Sequence, residues 1–158
     1  MRNLRKFLDL SPDDRLLLMQ ATVLLIGVRL GLRFVDFRVD RSQAGSTGAA
    51  APGAPEFARA GAIARLVGIA AAHTPVSVTC LHRSLVLWWL LRRKAIPCEL
   101  RLGARADSGP FGAHAWVQCA GVALNEDAAN LAHYRSFGEA VVPVGRSRAW
   151  RHGVPRGG

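Results

Sequence analysis

The sequence predicts an α+β fold: helices packed on a small antiparallel sheet, with an apolar helix at the N-terminus. Three observations predict it. Apolar residues recur at three- and four-residue intervals up to about residue 94, the signature of helices. At residues 98–104 and again at 113–119 the pattern changes to alternation, the signature of half-buried strands, with a loop at Asp107-Ser108-Gly109-Pro110 between them. A stretch rich in glycine, alanine, serine and proline separates the first helix from the rest. Half of the 158 residues are apolar, enough for the core of one domain.

Ser11-Pro12-Asp13-Asp14 is a strong helix start: a capping serine, proline at the first helical position and acids in the first turn. The helix is expected to run to about Val35. Its apolar stretch from Leu16 to Val28 is 13 residues, short of the roughly 20 that span a bilayer, and Arg29 and Arg33 then interrupt it. A buried or partner-docking helix is expected, with peripheral contact at a membrane surface as the alternative. No secretory signal pattern is read at Met1-Arg2-Asn3-Leu4, and the expected location is cytoplasmic.

Residues 40–56 cannot bury a core and read as a flexible linker. The chain thus divides into an N-terminal helical segment (1–39), the linker (40–56), a catalytic-looking body (57–145) and a basic tail (146–158), expected to fray. In the body, a helix is expected from Phe57 to Ala72, with Phe57, Ile63, Leu66, Val67 and Ala70 inward, stopped by His73-Thr74-Pro75. A second helix opens at Thr79-Cys80 and runs to Leu91, with Arg92, Arg93 and Lys94 at its far end. Strands follow at 98–104, 113–119 and 122–124, the last two joined by the turn Ala120-Gly121. A helical turn near 128–133 and a strand near 139–144 complete the body.

Net charge is +10, carried mostly by arginine. It fits a solvated basic surface or an acidic partner, such as an acidic peptide or adaptor. The arginines are scattered and no aromatic-interleaved basic stripe occurs, so nucleic acid is not an expected partner. Three cysteines, Cys80, Cys98 and Cys119, are an odd number without paired metal spacing. One working thiol in a reduced compartment is therefore expected, with neither a disulfide framework nor a metal site. Gly103, Gly109 and Gly112 make no dinucleotide-binding pattern, and no cofactor is expected.

Cys80 stands at the start of its helix, where the partial positive charge of the helix end favours the thiolate. Thirty-four residues later, Ala113-His114-Ala115-Trp116-Val117-Gln118 alternates like a strand, with His114, Trp116 and Gln118 on one face. A thiol on a helix start and an imidazole on a later strand are the parts of a Cys–His nucleophilic pair. Cys98 and Cys119 fall within strands and read as core. His82 is two residues from Cys80, about 200° around the helix, and is expected to pack or bond locally. The hairpin at Ala120-Gly121 would return the residues after Leu124 to the side of His114.

The Cys-Leu-His-Arg-Ser helix, Ile96-Pro97 before a strand, His114-Ala115-Trp116-Val117 and Leu124-Asn125-Glu126-Asp127 together resemble the transglutaminase-like cysteine peptidases of lasso peptide biosynthesis, the stand-alone (B2-type) leader peptidases. The resemblance covers roughly residues 57–143. It implies a papain-like or transglutaminase-like layout and removal of the leader from a ribosomally made precursor peptide. Cys80 would be the nucleophile and His114 the base. The acid that orients the imidazole would be among Asn125, Glu126 and Asp127. Glu126 has the family's spacing, aspartate is the family's usual residue, and a shift of one would select Asp127. The implied partners are the precursor peptide, a separate (B1-type) leader-binding recognition protein and an ATP-dependent lasso cyclase. A transglutaminase-type acyl transferase and a non-catalytic peptide-binding protein are the alternatives.

Overall fold

Ser11 begins the first helix as its residue type requires: its Oγ accepts the Asp14 N–H at 3.1 Å, satisfying one of the orphan donors of the first turn. In the computed structural model, which describes residues 10–31, 35–39, 52–107, 110–137 and 141–145, this helix, α1, spans Pro12–Gly31. It ends earlier than the expected Val35. Residues Val35–Val39 form instead a strand, β1, paired antiparallel with the last strand, β6 (Val141–Gly145). Long-range pairing overrides the helical periodicity here, and periodicity alone could not show it.

Helix α2 spans Ala54–His73 and starts three residues before the expected position. Glu56 causes the difference: its carboxylate accepts the Gly53 N–H at 3.0 Å, and Pro55 sits in the first turn, where its missing N–H costs nothing. The end of the expected linker is therefore helix, while residues 40–51 and the tail from 146 lie outside the described residues. Ile63, Leu66, Val67 and Ala70 are buried and Phe57 is partly so.

Helix α3, Cys80–Arg93, is the centre of the fold. Residues 84–88, 90 and 91 are all buried, so the helix is covered on nearly every side, as a helix apolar all round must be. Trp89 is the exception at 38% exposure, with the Arg93 guanidinium 4.8 Å from its ring centroid. At the C-terminus the Ile96 N–H bonds Leu91 O and the Ala95 N–H bonds Arg92 O. This closing motif usually carries glycine, and here Ala95 takes the positive φ of 55°.

The four-stranded antiparallel sheet runs β4-β3-β2-β5, with β2 Glu99–Arg105, β3 Ala113–Cys119, β4 Val122–Ala123 and β5 Tyr134–Ser136. A short helix, α4, covers Ala128–Leu131. Strand β5 has no counterpart in the sequence reading, because three residues are too few for a visible alternation. Ala120 and Gly121, at φ 48° and 84°, make the two-residue turn between β3 and β4, whose twist suits a hairpin.

One core joins the helices to the sheet. Leu25 of α1, Leu66 and Val67 of α2, Leu87 and Leu91 of α3, Leu100 of β2 and Val117 of β3 are fully buried within it. Each such side chain contributes about 1.5–3 kcal/mol. The outer side of α1 is left uncovered: Leu16, Met19, Val23 and Leu30 are 56–70% exposed. Among the described residues no helix is long and apolar enough to cross a membrane.

Candidate active site

The start of α3 is built by Thr79 and His82. Thr79 holds the extended backbone of a helix cap, and its N–H donates to His82 Nδ1 at 3.2 Å. Its hydroxyl lies 2.5 Å from the same nitrogen. This is a capping box with histidine in the place usually held by Glu or Gln. A nitrogen that accepts an N–H carries no proton of its own, so the ring proton of neutral His82 sits on Nε2. Burial, followed by the charge of Arg29, pushes the His82 pKa down and favours that neutral form. His82 thus bonds locally, and it fixes the backbone on which Cys80 rides.

Cys80 is the first residue of α3, partly buried, and it borders a cleft of 260 Å³. Gly68, Ala71 and Ala72 of α2, together with Val78, form the walls, and Arg83 borders it one turn along α3. The first-turn N–H of Cys80 has no carbonyl partner in its helix, as the geometry of any helix start dictates. Burial, with the nearby Cys119 thiol adding to it, pushes Cys98 to about 12, and burial raises Cys119 as well.

His114 lies in β3, with its side chain 11% exposed. Its Nε2 is 2.7 Å from Glu126 Oε2. An ionised carboxylate only accepts, so Nε2 carries the proton and Nδ1 is the nitrogen free to exchange one. For Glu126, burial alone would raise the carboxyl pKa. Hydrogen bonds from Asn130 and His114, the His114 charge and the Asp127 N–H outweigh it and lower the value overall. The ring of His114 is flanked by Trp116, stacked at 6.2 Å, and by Tyr134 at 4.9 Å.

Among the three acid-loop residues left open by the sequence, each has a distinct place. Glu126 holds the imidazole. Asp127 does not: it caps α4, its carboxylate accepting the Asn130 N–H at 2.7 Å. Asn125 does not reach the ring either. Its Oδ1 accepts the Val117 N–H at 2.8 Å, and its Nδ2 donates to Ser84 Oγ at 2.9 Å.

That asparagine ties the site together. Ser84, fully buried on α3, donates in turn to the Ala115 carbonyl of β3 at 2.8 Å. Cys80 lies one turn before Ser84 on the same helix face, and His114 lies next to Ala115 on the strand. Arg83 adds a second link, its Nη2 donating to Asn125 O at 3.1 Å and standing 3.5 Å from Glu126 Oε2. The helix of the thiol, the strand of the imidazole and the loop of the carboxylate are thereby fixed to one another by hydrogen bonds centred on the buried Ser84.

Ser84, Arg83 and Tyr134 carry no role in the sequence reading. The first two sit at Cys80+4 and Cys80+3, a spacing that signals a shared helix face, but their hydrogen-bond partners are between 31 and 42 residues away. Tyr134 belongs to the strand that periodicity could not reveal. Among the described residues, no group of three or more His, Cys, Asp or Glu could hold a metal ion.

The model of a protein family described as the transglutaminase-like superfamily matches residues 22–138. Comparison with curated proteins and with solved structures gave no match.

Proposed function

The chain belongs to the transglutaminase-like superfamily, and on that premise we propose that it is a cysteine peptidase with Cys80 as nucleophile, His114 as base and Glu126 as the acid that orients the base. The observation that carries the reading is the His114–Glu126 hydrogen bond on a strand braced against the helix that Cys80 opens. In this mechanism His114 Nδ1 takes the proton of the thiol, and Cys80 Sγ attacks the peptide carbonyl carbon. The developing oxyanion is met by the Cys80 N–H at the helix start. The imidazolium protonates the departing amine, leaving a thioester. Water, deprotonated by His114, then releases the acid and restores the thiol. Glu126 stabilises the imidazolium in both halves of the reaction.

The substrate proposed is the leader–core junction of a ribosomally made lasso precursor peptide. Its support is the ordered set of Cys80 to Ser84, His114 to Val117 and Leu124 to Asp127, which resembles the leader peptidases of that pathway. A cleft of 260 Å³ offers a flexible peptide few contacts, and ordering the peptide costs free energy. A separate leader-binding recognition protein would raise the local peptide concentration, and the uncovered apolar side of α1 is the surface proposed to meet it. The freed core would pass to an ATP-dependent cyclase.

The test is mass spectrometry of a candidate precursor incubated with this protein and the recognition protein. Cleavage at one junction, lost in Cys80→Ala and in His114→Ala, is expected. A gain in mass on an amine donor, without two fragments, would reassign the protein as an acyl transferase. Cleavage that survives Cys80→Ala would overturn the reading in favour of a binding protein.

A further inference from the structure

We propose that Arg83 forms a carboxylate-binding subsite beside Cys80, which holds the new C-terminus of the peptide released by hydrolysis. The inference rests on the peptidase reading, because only hydrolysis makes that group. When water adds to the thioester carbonyl, its oxygen bonds to the carbon and the C–S bond breaks. Sulfur leaves with the electron pair and regains its proton through His114. The carboxylic acid formed ionises at neutral pH, placing a negative charge where a neutral amide stood.

Arg83 is built to receive that charge. It borders the same cleft as Cys80 and lies three residues further along α3, on the same side of the helix. Its Nη2 is fixed on the Asn125 carbonyl and stands close to Glu126. All its protein contacts among the described residues leave from this one nitrogen, and its buried Nε has no partner at all. A guanidinium presents its donors as a planar fork, so anchoring one arm orients the Nη1 edge without occupying it.

Glu126 engages only the Nη2 side of Arg83, at 3.5 Å, while its shorter contact, at 2.7 Å, is with His114. The rest of the cleft offers no competing charge: Gly68, Ala71, Ala72 and Val78 carry no polar side-chain atoms, and Thr79 adds only a neutral hydroxyl, which lies against His82. Its 260 Å³ is smaller than the roughly 300–1,000 Å³ that encloses a drug-sized ligand, and suits the end of a peptide with small side chains. A Cβ on Gly68 would meet nothing within 4 Å, so the α2 wall leaves space there. The physical consequence is product retention: the released acid binds more tightly than the uncleaved amide, and slows turnover.

The test uses N-acetyl-alanyl-alanine and its C-terminal amide as competitors of iodoacetamide at Cys80. Peptide mapping separates Cys80 from Cys98 and Cys119. In the wild-type protein the acid is expected to protect Cys80 at about five- to tenfold lower concentration than the amide. Since the Arg83 side chain is 32% exposed, that preference should shrink in 0.5 M salt. Arg83→Gln should equalise the two peptides, and Arg83→Lys, which keeps the charge, should retain part of the difference. Circular dichroism checks that both variants fold. Equal protection by acid and amide in the wild type, no protection by either at tens of millimolar (roughly the weak end of a one-contact peptide), or a preference that survives Arg83→Gln would overturn the proposal. The peptidase reading is tested separately by precursor cleavage with Cys80→Ala, so failure of one is told from failure of the other.

Discussion

Glu126 Oε2 lies 2.7 Å from His114 Nε2, twelve residues away along a hairpin, and this pair sets the polarity of the imidazole. With Nε2 occupied as donor, Nδ1 is the nitrogen that the proposed mechanism assigns to the thiol. The length of the glutamate side chain matters, because it reaches back to the ring while the next residue, Asp127, turns away to cap α4.

Replacing Glu126 therefore tests the orientation of the base. Glu126→Gln can still accept from Nε2–H but cannot stabilise the imidazolium, and should lower kcat by roughly 10- to 1,000-fold with little change in KM. Glu126→Ala should lower it further. Steady-state kinetics on the precursor would check both. Activity unchanged in Glu126→Ala would remove this residue from the mechanism.

The capping histidine predicts a pH effect on stability. The His82 pKa in the folded protein is below its ordinary value of 6.5, so folding favours the neutral ring. The stabilisation is then present above that ordinary value and is lost as the pH falls through the lowered one. His82→Gln can accept the Thr79 N–H without titrating. Urea unfolding across pH 4–8 should show the wild type losing stability in acid relative to His82→Gln. Parallel curves would contradict the assignment.

Ser84 and Asn125 should behave as one unit. Ser84→Ala leaves the Asn125 amide without its buried acceptor, and Asn125→Ala removes the donor to Ser84 Oγ and the acceptor of the Val117 N–H. Each change should cost about 1–3 kcal/mol, and the double variant less than the sum. Chemical denaturation of the four proteins measures the coupling. Strict additivity would mean that the two residues act independently.

Gly103 stands opposite His114 on one side and Ser136 on the other. A Cβ there would come within 2.6 Å of the Arg135 carbonyl and 3.0 Å of the Trp116 ring. Gly103→Ala should push β5 and Trp116 outward, moving both aromatic neighbours of His114, with a loss of about 1–3 kcal/mol. A melting temperature equal to wild type would show that the strands yield more easily than the backbone contact implies.

The sequence by itself determined the features that depend on near neighbours. The Ser11 start, the helix at Cys80, the β3 strand and its hairpin are written in caps, periodicity and turn residues, whose physics acts within four or five positions. Through its family resemblance it also narrowed the residue proposed to orient His114 to three consecutive positions. Only the tertiary structure distinguished among them, because the β3–β4 register and the cap of α4 decide which side chain faces the ring. The same holds for Val35–Val39, where pairing with a strand about a hundred residues away prevails over helical periodicity. Arg83 and Ser84 lie in plain view beside Cys80 in the sequence. Their partners, and hence their roles, exist only once α3 is buried against β3 and the loop that carries Asn125 and Glu126 closes over both.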